Sequence, residues 1–413
     1  MSAEIPSAPG GRKPAFGFAF FSAVTSASSF GFMIPILPNL VKSFTGGNTA
    51  HAAEWVVVFN TAGGLMSFFS GPVLGMLSDR LGRRPVLLIS LFGMGVDFLV
   101  MAFAPSLWWL FIGRLISGAT SGAFATASAY VADVVEPQNR ARAFGLMGSA
   151  FSFGFVAGPA IGGWLGNYDL RWPFFASAAL TLVNALYGLF IMPESLPPER
   201  RADQFDLRKA NPVGALNLLR SHHELFGLSG VNYLHQLAQA VWPSVFVLYS
   251  GYRYHWTPAF TGTMMMIGGV IGVLVQSFVV GPAVKRFGER GCLLIGATAA
   301  TCGITAYSLA PSTFWYICAM PLGALTGLVA PGLMGLMTAR VSPYEQGQLQ
   351  GAQQSIMGIT GIIGPSIYGL SFAWAVDHPQ YGVPGLPLML AGFFTACALA
   401  LAFAVAPRAP TAS

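Results

Sequence analysis

Two ionisable side chains stand inside stretches that are otherwise apolar: Asp97 in "GMGVDFLVM" and Arg114 in "IGRLISG". A charge in such a setting is costly, so it marks a functional position by default. A carboxyl group there can carry a proton or line a polar path; the competing reading is an aspartate bonded to hydroxyls of neighbouring helices. Further along, "NYLHQLAQAVWP" spaces Asn232, His235, Gln236 and Gln239 so that they share one helical face. Amides on that face can hydrogen-bond a small polar ligand, and a histidine loads and releases a proton near neutral pH. A third cluster, "GMLSDRLGRRPVLL" (75–88), sets Asp79, Arg80, Arg83 and Arg84 around Gly82 between two long apolar runs. Asp79 can pair with these arginines or cap a helix start, Gly75 lets a neighbouring helix come close, and Asp133 is a second acidic partner. Charged pairs of this kind hold one conformation and break when the joined parts separate. They form a latch, not a ligand site.

The elements that must position these groups follow from composition. The chain has 413 residues, 54% of them hydrophobic and 9% charged, with a mean hydropathy of +0.61. Crossing a hydrocarbon core of ~30 Å takes about 20 apolar residues. Such runs recur twelve times, at 15–38, 55–77, 86–104, 107–131, 144–166, 173–193, 223–250, 258–283, 292–310, 313–338, 347–374 and 384–406. Backbone groups in hydrocarbon must be bonded within their own segment, so the runs are helices and the expected class is an all-α integral membrane protein. The first run is too long for a signal-peptide core and reads as an uncleaved helix. Four cysteines (Cys292, Cys302, Cys318, Cys397) lie inside the runs without a CxxC pair, which leaves neither a disulfide framework nor a metal site.

Basic residues are unevenly divided among the connecting segments. With the amino terminus inside, seventeen arginines and lysines fall on the cytoplasmic side and three, Lys42, Arg171 and Arg253, on the outer side. Both termini are therefore expected in the cytoplasm. The net charge of +6 reflects this topology rather than nucleic-acid binding.

The chain also repeats itself. Gly75, Arg80, Gly82, Arg84, Leu87 and Leu88 recur 206 positions later as Gly281, Arg286, Gly288, Arg290, Leu293 and Leu294 in "GPAVKRFGERGCLL". The same offset takes Trp109 to Trp315 and the Gly158-Pro159 pair to Gly364-Pro365. Two pseudo-symmetric six-helix bundles are expected, at 15–196 and 223–407, with a cytoplasmic linker at 197–222 and tails at 1–14 and 408–413. Parallel halves of this kind rock about a site near the bilayer midplane. A phosphate-binding GxxxxGK[ST] loop is absent, and His223-Glu224 lacks the second histidine of HExxH, so neither ATP hydrolysis nor the usual metalloprotease chemistry has a site.

Stretch 75–88 closely resembles the signature loop between helices two and three of major facilitator transporters. The segment "LFIGRLISGATSGAFATASAYVADVVEPQNRARAFGLMGSAFSFGFVAGPAIGG" (110–163) resembles their drug/proton antiporter branch, specifically the tetracycline efflux family. "RYHW" (253–256), "GERGCLL" (288–294) and "EQGQLQG" (345–351) are similar to that family's second half. The resemblance implies a major facilitator fold that exports a small amphipathic compound or drug in exchange for protons, in a bacterial-type inner membrane. Its partners would be the small-molecule substrate, protons and the lipid bilayer; no cofactor, metal or nucleic acid is implied, and a monomer is expected. Facilitated passage or import of a metabolite, with altered or no proton coupling, is the alternative.

Residue by residue, "SFGFVAGPAIGG" matches the antiporter glycine–proline motif of the fifth helix. Gly154, Gly158, Gly162 and Gly163 would allow close helix packing and Pro159 would kink the span. Gly364 and Pro365 repeat the motif, which implies paired gating helices at the interface of the halves. Arg114 matches the antiporter arginine of proton coupling, Asp97 the proton carrier, and His235 is the next candidate. Gln236 and Gln276 fall on family glutamines of the substrate cavity, with Asn60, Asn232 and Gln239 beside them as expected contacts. The sequence departs at three family positions: Ser26 and Ala300 stand where aspartates are carried in the first and ninth helices, and Gly272 where a histidine is carried in the eighth.

Overall fold

The computed structural model of the chain describes residues 16–201, 223–342 and 345–406, and among them every regular element is helical. The expected tails at 1–14 and 408–413, and the linker from 202 to 222, lie outside the described residues. Twelve spans follow one another. They are α1 (Phe16–Met33, continued by Leu37–Phe44), α2 (Thr49–Leu81), α3 (Arg83–Ala102), α4 (Leu107–Ala119 and Ala123–Val134), α5 (Arg140–Tyr168) and α6 (Trp172–Ile191). The second half supplies α7 (His223–Gln239 and Val241–Tyr254), α8 from Pro258 to Gly288, α9 from there to Leu309, α10 (Thr313–Ala324 through Val329–Thr338), α11 (Gln346–Asp377) and α12 (Leu386–Val405). Among the described residues, nine helical stretches are long and apolar enough to cross a membrane by length and composition. One of the nine, Pro258–Leu309, is α8 and α9 together, while α4 and α7 are each divided into pieces too short to qualify; the total is twelve.

Two glycines explain why the repeated stretch keeps its spacing. Gly82 (φ 108°) turns the chain from α2 into α3, and Gly288 (φ 67°), 206 residues on, turns α8 into α9. Positive φ is open to glycine and strained for other residues. The repeat therefore carries a backbone requirement as well as charges.

The first helix of each three-helix group is interrupted: α1 at 34–36, α4 at 120–122, α7 at Ala240, and α10 by a 3₁₀ turn at Leu325–Leu328. An interruption frees carbonyls that a membrane interior cannot hydrate, so side chains must take them up. Ser70 Oγ donates to the Gly118 carbonyl at 2.6 Å and Ser244 Oγ to that of Ala240 at 2.6 Å; Asn60 Nδ2 reaches the Pro243 carbonyl, in the turn after the α7 interruption, at 3.4 Å.

The contacts divide the described chain into two compact units. One holds 16–40, 62–201 and 257–266; the other holds 41–61, 223–256, 267–342 and 345–406. In the first, Phe18, Ala23, Leu87, Leu91, Tyr130 and Met147 form a buried core. A ladder of buried polar groups joins α1 to α6: Asn184 Nδ2 to Ser22 Oγ (3.1 Å), Thr181 Oγ1 to Ser29 Oγ (3.0 Å) and Ser177 Oγ to the Ser29 carbonyl (3.1 Å). In the second, Leu225, Leu228, Leu293, Val329, Leu333 and Leu349 form the core. The "RYHW" segment ends α7: Tyr254 donates to the Ala310 carbonyl and the Trp256 indole to Thr313, which fixes that end against the α9–α10 turn.

Candidate functional site

Asp97 on α3 and Arg114 on α4 meet. Arg114 Nη2 lies 2.9 Å from Asp97 Oδ2, with the carboxylate fully buried and the guanidinium nearly so. Nη2 also touches Met101 Sδ at 3.2 Å. Gly113 makes room for the carboxylate, since a Cβ there would come within 2.8 Å of Asp97 Oδ1. Ser117 is the other polar side chain facing the acid. The pair is incompletely satisfied: Asp97 Oδ1 and Arg114 Nε are buried and make no full hydrogen bond among the described residues. Asp97 is thus the buried partner of Arg114 and not, in this conformation, an acid on an open face.

The internal repeat supplies a control. The positions 206 residues after Asp97, Arg114 and Ser117 are Gly303, Met320 and Gly323. There α9 and α10 close by small-residue packing, a Cβ at Gly303 coming 2.9 Å from the Gly323 Cα. The corresponding helix pair of the second half packs there without a charged pair.

The latch gathers around one arginine. Arg83 Nη1 binds Asp79 at 2.6 Å and Ser78 Oγ at 3.1 Å, and its Nε binds Asp133 on α4 at 3.1 Å. Arg84 instead donates to the Leu189 carbonyl at the end of α6, and Arg80 is exposed without an ion pair among the described residues. Gly75 has open space where a side chain would be, so the expected close helix approach there is not made. The α2 helix continues unbroken past it, and the tight position is Gly82.

Glu194, which no sequence motif marks, completes the latch. Its carboxylate accepts the backbone N–H groups of Arg83 (2.8 Å) and Arg84 (3.3 Å), and of Ser195 (2.9 Å) and Leu196 (3.0 Å). An anion therefore caps the amino terminus of α3 from the far end of α6, where unsatisfied N–H groups and the helix dipole favour it. A Cβ on Gly82 would collide with this carboxylate. Ser195 Oγ donates to Asp133 at 3.1 Å, joining both acids to one network. "PES" after the sixth apolar run is the only available signal, and nothing in sequence ties it to a loop 110 residues earlier.

The glycine–proline motifs pack mainly within their own halves. Gly154 and Gly158 lie against α1, a Cβ on Gly158 coming 2.8 Å from the Gly31 Cα, and Gly162 lies against Phe32. Gly364 lies against Ala240 at the α7 interruption. Gly163, with the Pro159 backbone, meets the start of α8 at Pro258 and Gly262; its counterpart at the same offset, Gly369, meets Val57 of α2. Pro159 and Pro365 sit inside continuous helices. Gly369 was legible only through the offset.

The expected substrate contacts are dispersed. Asn232 is buried and donates to Gln353 Oε1 on α11 at 2.7 Å; Gln353, a residue missed in the sequence, reaches Met337 Sδ at 3.2 Å. His235 is buried, Gln236 is half-buried, and Gln239 accepts from the Trp242 indole at 3.2 Å. Ser26 is half-buried beside the α1–α6 ladder without joining it, Asn60 is taken up by the Pro243 carbonyl, and Gln276 is exposed on α8. Ala300, one of the departures, is fully buried.

Against known proteins, the model of the Major Facilitator Superfamily matches residues 19–365. The class C tetracycline resistance protein of Escherichia coli is 38% identical over 365 residues, covering 86% of this chain and 91% of its own length. The class D tetracycline resistance protein of Salmonella ordonez is 31% identical over 403 residues, 97% of this chain and 99% of its own. Among solved structures, the nucleoside transporter NupG superposes with a TM-score of 0.74 at 14% identity over 95% of this chain and 98% of its own. The human organic anion transporter MFSD10 does so with a TM-score of 0.66 at 21% identity over 94% and 98%. These two likenesses concern the fold.

Proposed function

The chain belongs to the major facilitator superfamily, and from that premise we propose that it exports a small amphipathic organic compound in exchange for protons. It is a membrane transporter and not an enzyme; the export direction draws support from the tetracycline resistance proteins it is similar to over most of its length. The observation that carries the coupling is the buried Asp97–Arg114 pair, present in one half and replaced by Gly303 and Met320 in the other. Burying two charges is expensive even when they are paired. A fold whose second half packs the corresponding helices without them keeps them for another reason.

In the proposed cycle, ionised Asp97 holds Arg114 and with it the α3–α4 contact. A proton on Asp97 removes the attraction, freeing the guanidinium and allowing α4 to shift at its interruption at 120–122. The Arg83 latch opens and closes in step. Substrate contacts would come from Ser26, Asn60, Gln236, Gln239 and Gln276, with His235 as a second proton site. The excess of basic residues on one side supports cytoplasmic termini in a bacterial-type inner membrane, and the two six-helix halves suffice for the cycle in a monomer. At ~100 mV one charge is worth ~2.3 kcal/mol, roughly a 50-fold gradient, so a single proton is enough to drive useful export.

The test uses inverted membrane vesicles with an acidified lumen and tetracycline in magnesium-free buffer as probe. Accumulation that collapses with a protonophore is expected. Equilibration without accumulation would replace exchange by facilitation.

A further inference from the structure

The seam between α3 and α4 can be followed turn by turn. Met101 and Asp97 lie against Gly113, Gly93 lies under Thr120, and Ser90 lies against Gly122. Ser90 is seven residues from Asp97, on the same face of α3 and about 10 Å nearer the Arg83 latch. The break in α4 at 120–122 therefore falls between the two. No side chain caps the second piece of α4, Ala123–Val134, and among the described residues the N–H groups of Ala123, Phe124 and Ala125 meet no carbonyl. Ser90 Oγ is fully buried and makes no hydrogen bond among the described residues. It points at the cap residue, 3.2 Å from where a Cβ on Gly122 would stand.

Free N–H groups and a free hydroxyl are costly in a membrane interior unless water reaches them, and water settles where several polar groups converge. Ser121, in the same break, is exposed, so the pocket has an outlet. Thr120 shuts it off from Asp97. A Cβ on Gly93 would collide with the Thr120 methyl group, and the Thr120 hydroxyl is turned back to the Ile116 carbonyl at 2.8 Å.

The other half lacks both features together. At the offset of 206, Ser90 becomes Gly296 and Asp97 becomes Gly303. Gly296 packs on the backbone of α10, a Cβ there coming 2.7 Å from the Val329 nitrogen, and the 3₁₀ turn Leu325–Leu328 carries that helix through. The half without an acid fills its break with main chain. The half with one keeps a hydroxyl and free N–H groups there.

We propose that the α4 interruption is a hydrated proton-release pocket for Asp97, in which Ser90 binds the water and Thr120 is the gate. This rests on the proton-exchange reading above. When Asp97 is protonated and α4 shifts, Thr120 leaves Gly93 and water joins the carboxyl group to Ser90. The Asp97 O–H bond breaks, its electron pair stays on the carboxylate, and the proton passes to water as hydronium and leaves through the break. The positive end of the second helix piece favours its departure over its retention. Ionised Asp97 then takes back Arg114, and Thr120 reseats.

Protons alone are the probe in the first experiment, with full-length protein in liposomes that enclose a pH-sensitive dye. After a pH jump, the Thr120→Ala variant should leak protons at least threefold faster than the wild type, whereas Thr120→Val, which keeps the bulk, should not. Adding Asp97→Asn or Ser90→Ala to Thr120→Ala should return the leak to the wild-type rate. In inverted vesicles, Ser90→Ala should lower proton-driven accumulation of magnesium-free tetracycline at least fivefold. It should also double the solvent deuterium isotope effect, which a merely structural hydroxyl would leave unchanged. A Thr120→Ala variant as tight as the wild type, or a leak that survives Asp97→Asn, would overturn the proposal. So would an unchanged isotope effect in Ser90→Ala, which decides the matter even if Thr120→Ala fails to insert. Wild-type vesicles that accumulate no tetracycline would count against the export reading alone, because the leak needs no substrate.

Discussion

At the scale of single residues, the Asp97–Arg114 pair separates function from folding. Asp97→Asn is nearly isosteric, and proton-driven accumulation should be lost while exchange of probe at equal pH on both sides persists. A stricter experiment uses the molecule's own symmetry. Asp97→Gly or Arg114→Met alone leaves one buried charge without its partner, which costs about 3–5 kcal/mol. The double variant installs the residues found at Gly303 and Met320, where α9 and α10 close without charge. Replacing a buried pair by apolar packing is often neutral. The double variant should therefore unfold on heating near the wild-type temperature, well above either single variant, yet carry no proton-coupled flux. A coupled double variant would remove the pair from the mechanism.

At the scale of elements, the amino terminus of α3 depends on a carboxylate that arrives from α6. Glu194→Gln keeps an acceptor for the Arg83 and Arg84 N–H groups but loses the charge. Hydrogen bonds to charged groups contribute about 1.5–3 kcal/mol and neutral ones about 0.5–1.5, so a loss of about 1 kcal/mol is expected. Gly82→Ala does more: it strains a positive φ by about 1–2 kcal/mol and drives a methyl group into the Glu194 carboxylate. Transport in vesicles at matched protein level should fall severalfold for Glu194→Gln and to background for Gly82→Ala, with membrane insertion intact. Because Gly288 has open space around it, Gly288→Ala carries the backbone strain without the collision and should retain more activity than Gly82→Ala. Equal loss at the two glycines would mean that strain alone, and not the Glu194 cap, explains the requirement.

At the scale of the whole molecule, the missing acids bear on what is carried. Ser26 and Ala300 stand where the resemblance to tetracycline exporters implies aspartates, so a cavity with fewer carboxylates is expected. A charge-assisted bond to a cationic ligand is worth about 1.5–3 kcal/mol, roughly ten- to hundredfold in affinity. Cells lacking their own pumps and expressing this chain should show little resistance to tetracycline when magnesium is abundant, and more to neutral or anionic amphipaths. Burial makes the two restorations unequal. Ser26→Asp introduces an acid at a half-buried position and should shift preference toward the magnesium complex; Ala300→Asp places an acid where the side chain is fully enclosed, and should lower yield and melting temperature first. High magnesium–tetracycline resistance of the wild-type chain would show that these two acids do not decide the substrate.

The sequence alone determined the membrane class, the twelve spans and the two-fold repeat, because bilayer thickness and backbone hydrogen bonding act on every segment separately and leave a signal in each. It also marked Asp97, Arg114 and Arg83, since charge among apolar residues is conspicuous wherever it falls. What it left open were the meetings. That Asp97 lies against Arg114 while Gly303 lies against Gly323, that Arg83 rather than Arg80 gathers the acids, that Glu194 caps a helix 111 residues earlier, and that Gly82 is tight where Gly75 is open were all decided by helices crossing at particular heights and angles. Periodicity fixes which way a side chain leaves its own helix. Which neighbour it finds there depends on packing among helices distant in sequence, and only the tertiary structure contains that.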